Sequence, residues 1–246
     1  MKLYQLLFLL LFFASSIFAQ QTVVVEYSQK ANIEYQLRGE TDPKVRARVA
    51  AHLSKPRIYT LVVAKGESIY QRVNGEVITD FAAHAEATKR IEIGREAGGA
   101  YRNQSEDLFI KEADILGRRF LIYDKQPKID WTFSKETKEI GQYTCKKAST
   151  IHFGEPVVAW YTEEIPLNVG PKEFGHLPGL ILEIELQTKT ISATKVNFLK
   201  DNPYDFKRPT KGKRVTLEAY YGILNEMLAN IRKNSNNGTL TIGGGY

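Results

Sequence analysis

The side chains in this chain that could do chemistry are few and widely spaced. Cys145 is the single cysteine, and His152 lies seven positions later, so a thiol–imidazole pair is conceivable. Odd and even positions of a continuous strand face opposite sides, however, which would turn the two apart unless a bulge intervenes. Glu163 with Glu164, and Glu183 with Glu185, are carboxylate pairs of the type that attacks glycosidic bonds. Glu183 and Glu185 read more simply as the wet face of a strand whose other side carries Leu182, Ile184 and Leu186. The histidines, His52, His84, His152 and His176, are far apart, and none has the spacing of a helical ligand pair. His84-Ala85-Glu86 matches the first half of a zinc-deaminase signature whose second half needs two cysteines. There is no Gly-x-Ser-x-Gly elbow. Gly243, Gly244 and Gly245 precede no helix that could receive a phosphate. These residues assign no catalytic group, no metal ligand and no cofactor-binding residue.

The elements that would position such groups are mostly strands. Thr22 to Tyr27 is β-branched and aromatic. Asp42-Pro43 opens a short helix ending near Leu53, and Ile58–Ala64 with Ser68–Val73 flank Lys65-Gly66 as a hairpin. The alanine-rich segment Phe81 to Arg90 has helical composition, with Gly94, Gly98 and Gly99 as loops beyond it. Asp107–Lys111, Phe120–Tyr123, the alternating Ile129, Trp131 and Phe133, then Tyr143–Phe153 and Pro156–Thr162 read as further strands. From Thr190 to Phe198 the apolar positions change parity, which predicts a bulge near Thr194. Leu217, Tyr220, Tyr221, Leu224, Met227, Leu228 and Ile231 recur at helical steps behind Thr216, a cap. Strands do not alternate with helices, so the expected fold is mainly β (α+β). It is a strongly curved antiparallel sheet or half-open β-barrel with a long C-terminal helix packed against it, similar in layout to lipoprotein carriers.

The first residues combine Lys2, an apolar run from Leu6 to Phe13 and small residues up to Ala19, the layout of a cleaved signal peptide. The expected organisation is a signal peptide at 1–19, a single β-rich domain at 20–233 and a flexible tail at 234–246. The implied location is periplasmic or secreted, with no membrane span after cleavage. With 34 Lys and Arg against 28 Asp and Glu interleaved along the chain, no basic run marks a nucleic-acid surface. A lone cysteine in an exported chain leaves stability to the apolar core.

The most unusual composition lies at Trp160 to Leu186, where Ile165, Pro166, Gly170, Pro171, Phe174, Gly175, His176, Leu177, Pro178, Gly179, Leu180 and Ile181 force several fixed turns between two strands. Together with Asp124, Pro127, Ile129, Trp131, Tyr143 and Cys145-Lys146-Lys147-Ala148, this stretch resembles the GLPGLI family, exported proteins of Bacteroidetes of unknown function. His176 stands where that motif has its first glycine. If that glycine serves a positive φ, Gly175 would take over the role.

The resemblance implies an exported protein, and with the signal peptide and the missing catalytic set the expectation is a non-enzymatic envelope protein. The curved sheet implies a cavity for an apolar ligand or an envelope protein partner, lined by Trp131, Trp160, Tyr220 and Tyr221. The alternatives are a hydrolase using carboxylates or Cys145 with His152, and a structural component of envelope assembly.

Overall fold

The computed structural model describes residues 21–72, 91–93, 99–115 and 117–235. The segments read as signal peptide and as the 81–90 helix lie outside the described residues, as does the tail beyond Ser235. The order is β1 (Thr22–Ala31), α1 (Ile33–Gln36), α2 (Pro43–Leu53), β2 (Arg57–Ala64), β3 (Glu67–Arg72), β4 (Ile91–Ile93), β5 (Ala100–Asn103), β6 (Leu108–Ile115) and β7 (Arg118–Lys125). It continues with β8 (Thr132–Ile140), β9 (Tyr143–His152), β10 (Glu155–Thr162), β11 (Leu180–Leu186), β12 (Lys189–Leu199), β13 (Tyr204–Phe206), β14 (Lys213–Val215) and α3 (Leu217–Ser235).

Twelve strands form one sheet in the order β14-β7-β6-β5-β3-β2-β1-β12-β11-β10-β9-β8, antiparallel except for the β14–β7 pair. The sheet is open, with β14 and β8 at its edges, and does not close into a barrel. Its curvature shows in contacts between strands far apart in that order. Lys111 on β6 reaches Glu173 in the connection between β10 and β11, and His152 on β9 meets Tyr221 on α3, which follows the opposite edge.

One face is therefore concave and carries a continuous apolar core, from Val23, Val25, Leu61, Phe109 and Ile122 to Ala148, Val157, Ile184 and Ile191. Helix α3 closes this side with Leu217 and Tyr220, the latter edge-on to Phe120 at 6.0 Å. Thr216 caps the helix by accepting from Ala219 N at 3.1 Å, and Asp124 accepts from Leu217 N at 3.0 Å. The convex face of β1–β7 has a smaller core of Val24, Val62, Ile69, Tyr101 and Ile110, joined by Tyr204 of β13, which pairs in parallel with β4. These central strands are buried on both sides. That is why β1 reads as an unbroken β-branched run.

Local chemistry sets the turns. Lys65 (φ 51°) and Gly66 (φ 77°) are both left-handed, a geometry that suits the strand twist and needs glycine at the second place. The parity change in β12 is a bulge at Thr194. Glu26 pairs with Lys195 and Tyr27 with Ala193, and the Thr194 hydroxyl bonds Glu26 Oε1 at 2.8 Å. A second bulge leaves Leu182 between Ile181 and Glu183 opposite β10.

The proline- and glycine-rich connection from Glu163 to Gly179 folds back onto the concave face. Gly170 lies against Ile181, where a Cβ would come within 2.7 Å of the Ile181 Cβ. Gly179 has an ordinary φ, and a Cβ there would overlap the Thr162 carbonyl, so close backbone approach and not positive φ requires glycine. The positive φ of the stretch falls on His176 itself (62°). Gly175, expected to take that role, does not.

Candidate functional site

Arg102 is the pivot of the concave face. It sits on β5 paired with Phe109, is 4% exposed, and donates to the carbonyls of Gly170 (3.2 Å), Phe174 (3.0 Å) and Lys172. Burial lowers its pKa to about 10, where it remains charged at neutral pH. Those carbonyls belong to a connection without regular partners, so the guanidinium supplies donors that no ladder provides.

A cleft of about 400 Å³ opens beside this pivot, between the β2–β3 turn and the Pro166–Val169 segment. Its polar lining is Gln21, Lys65, Glu67, Ser68, Gln104, Gln126 and Asn168 around Arg102. Gln104 Nε2 donates to Asn168 Oδ1 at 2.7 Å, and Gln126 Nε2 bonds the Asn103 carbonyl at 3.2 Å. Ser68, 2% exposed, has a hydroxyl bonded to no protein atom. The amides of Gln21, Gln104, Gln126 and Asn168, beside the charged Lys65, Glu67 and Arg102, offer donors and acceptors together, a lining that suits a polyhydroxyl ligand.

On the other side of the connection lies a charged group. Glu173, 2% exposed, accepts from Lys111 Nζ at 3.0 Å and from the Tyr221 hydroxyl, with His152 Nε2 at 3.9 Å. Burial by itself would raise the Glu173 pKa. Lys111 and Lys172, with Tyr221 and His152, outweigh it and hold the carboxyl far below its usual range. Burial lowers the His152 pKa, only partly countered by Glu173.

The residues singled out in the sequence are not brought together. Cys145 is fully buried, its thiol pushed up to about 12 by burial and within 3.7 Å of the Tyr143 carbonyl, while His152 packs against Phe174 and Tyr221 beside Glu173. Glu163 pairs with Lys146 at 2.8 Å, and Glu164 accepts from Thr144 N at 2.9 Å. Glu183 and Glu185 share Lys138, which lies 4.2 Å above the Trp160 ring, while Trp160 Nε1 donates to Glu185 at 2.7 Å. Trp131 donates to the Gly175 carbonyl at 3.0 Å, and Tyr221 stacks on Phe153 at 4.1 Å. Trp131, Tyr220 and Tyr221 belong to one ring cluster linked through Phe174 and His152, Trp160 packs under Lys138, and none of the four lines the cleft beside Arg102. Ile165, Phe174, Leu177, Leu180 and Ile181 are core residues. Pro171 accepts from Phe174 N at 3.1 Å in a turn, and Pro166 lines the cleft. Pro178 and the His176 side chain are exposed. Among the described residues, no cluster of three or more His, Cys, Asp and Glu is placed to hold a metal, and no helix is long and apolar enough to cross a membrane.

Fold and cleft define a β-rich module whose open polar face suits recognition of a hydrogen-bonding ligand. The chain belongs to the N-glycanase peptide, N-terminal domain family, whose model matches residues 81–220. It is also similar to two solved structures of PNGF-II. The C2 crystal form is 15% identical with a TM-score of 0.49, covering 84% of this chain and 33% of that one. The P21 form is 14% identical with a TM-score of 0.49, covering 84% and 34%. The chain thus spans about a third of the length of the structures it matches. No curated protein matches it significantly.

The family match corrects the GLPGLI assignment and, with it, the reading as an envelope protein built around an apolar ligand or protein partner. It covers the stretch on which that assignment rested. The Gly, Pro and apolar residues there answer a packing demand, the close approaches of Gly170 and Gly179, which does not single out one family. The thiol–imidazole pair of the hydrolase alternative is not formed, because the Cys145 thiol is buried and lies against the Tyr143 carbonyl while His152 sits beside Glu173. The envelope-assembly alternative falls with the family assignment.

Proposed function

We propose that this chain is a glycan-recognition module of an N-glycanase-type protein, not itself catalytic, and that its saccharide site is the cleft between the β2–β3 turn and Pro166–Val169. The observation that carries the reading is the amide lining of that cleft, with Gln104, Gln126 and Asn168 around the orphan Ser68 hydroxyl. Sugar hydroxyls are donor and acceptor at once, and side-chain amides meet both needs without the desolvation cost of a charge. Membership of a family described by its N-glycanase supports a glycan as the ligand. The leader-like composition of Met1–Ala19 supports export to the periplasm or beyond.

The test is a panel of immobilised oligosaccharides probed with the intact chain and with Asn168→Ala. Binding of a glycan subset that drops roughly tenfold in the variant, the worth of one or two lost hydrogen bonds, is the expected result. Absence of binding across the panel, or equal binding by the variant, would overturn the assignment.

A further inference from the structure

The cleft beside Arg102 is lined by two cations, Lys65 and Arg102, and one carboxylate, Glu67. Ser68 and Arg102 are direct cross-strand partners on β3 and β5, in a row that runs from Val63 through Ser68 and Arg102 to Phe109 on the concave face. Directly opposed residues have Cβ atoms about 5 Å apart, so Ser68 and Arg102 are neighbours on that face, and both line the cleft. The carbonyls of Gly170, Lys172 and Phe174 occupy only part of the Arg102 N–H fork, and Nε–H donates to no atom among the described residues.

Two observations point to a charged ligand at this place. The first is that Arg102 carries its charge at 4% exposure yet forms no ion pair among the described residues. Glu173, which acts on it through space, is taken by Lys111 at 3.0 Å and by Tyr221, and Glu67 accepts from Tyr101. Carbonyl dipoles solvate a guanidinium without neutralising it, whereas a buried charge is ordinarily paired. The second is the Ser68 hydroxyl, bonded to no protein atom on a residue of 2% exposure, although buried polar groups ordinarily have a partner. Lys65 adds an exposed positive charge from the left-handed β2–β3 turn.

We propose that the saccharide taken by the cleft is acidic, and that its oxyanion, a carboxylate or a sulfate ester, is seated on the Arg102 guanidinium and the Ser68 hydroxyl. An oxyanion answers both observations at once. Its oxygens accept from Nε–H and from the hydroxyl, and its charge supplies what the three carbonyls do not. Lys65 favours the same ligand through space, against the opposing charge of Glu67. The amides of Gln104, Gln126 and Asn168 are left to meet the ring hydroxyls of that ligand. This preference presupposes the cleft as the glycan site and narrows the class of glycan it takes.

The test is calorimetric titration of the intact chain, at constant ionic strength, with two matched series: glucose, glucuronate and glucose sulfate, then galactose, galacturonate and galactose sulfate. At least one acidic sugar should bind roughly tenfold or more tighter than its neutral parent, the worth of one charge-assisted hydrogen bond. Arg102 also ties down the 170–174 segment, so the variants are Ser68→Ala, which removes a hydroxyl the fold does not use, and Lys65→Gln on the exposed turn. Ser68→Ala should remove most of that margin and Lys65→Gln a roughly two- to fivefold part of it, with the neutral sugars less affected. Preference for a uronate identifies a sugar acid, and preference for a sulfate ester a sulfated sugar. Neutral sugars that bind as well as the acidic ones overturn the oxyanion seat and leave the cleft as a neutral glycan site. Acidic sugars bound equally well by both variants, or not bound by the intact chain, overturn the seat as well, while the oligosaccharide panel with Asn168→Ala decides the cleft by itself.

Discussion

At the scale of single residues, backbone geometry decides most of what the Trp160–Leu186 stretch does. A side chain at Gly179 must enter the space of the Thr162 carbonyl. Gly179→Val should therefore lower stability by about 3 kcal/mol or more. Glu185→Gln keeps an acceptor for the Trp160 indole and should cost under about 1 kcal/mol. Chemical denaturation of the two variants checks this, and equal midpoints would refute it. His176 presents the opposite case. It holds a left-handed φ of 62° with an exposed side chain, so His176→Gly should raise stability by about 0.5–1 kcal/mol, read from the same curves. The unusual composition was legible as a demand for fixed turns. Which position carries positive φ and which a close approach was not, because both demands select glycine and only the three-dimensional path separates them.

Among elements, the connection from β10 to β11 is held from across the sheet. Arg102→Met leaves three carbonyls of the 170–174 segment without their donor, and should destabilise the chain by about 3 kcal/mol or more. The loss should appear first as faster amide exchange in that segment, because it has few ladder bonds of its own. Uniform exchange across the chain would contradict the pivot role.

The Glu173 group adds a pH dependence with a definite sign. Glu173 has a folded-state pKa depressed below its unfolded value, so its stabilisation is complete above about 4.3 and is lost as pH falls through the folded value. His152 is depressed as well, so it removes stability in the same direction, starting from about 6.5. Stability should thus fall in two stages on acidification, and Glu173→Gln should shrink the lower one, leaving the smaller share of Glu185. A wild-type curve flat from neutrality to pH 3 would contradict this.

Strand existence, the Lys65-Gly66 turn, the Thr194 bulge and the Thr216 cap could all be read from local periodicity and turn chemistry. The groups that meet at Arg102 and Glu173 could not. Lys111 and Glu173, or Gln104 and Asn168, are more than sixty positions apart, and only the curl of the sheet joins them.

For the whole molecule, an open, strongly curved sheet closed on one side by α3 leaves polar surface where its two halves approach, rather than an empty apolar interior. Aromatic side chains fasten neighbouring elements, as Trp131 does to Gly175 and Tyr221 to Phe153 and Glu173. The central claim is the location of glycan binding. The most direct measurement is hydrogen–deuterium exchange of the intact chain with and without a bound oligosaccharide. Slowed exchange confined to residues 64–68, 103–105 and 166–169 is the predicted result. Binding that leaves those three segments unchanged and protects another part of the sheet would contradict it.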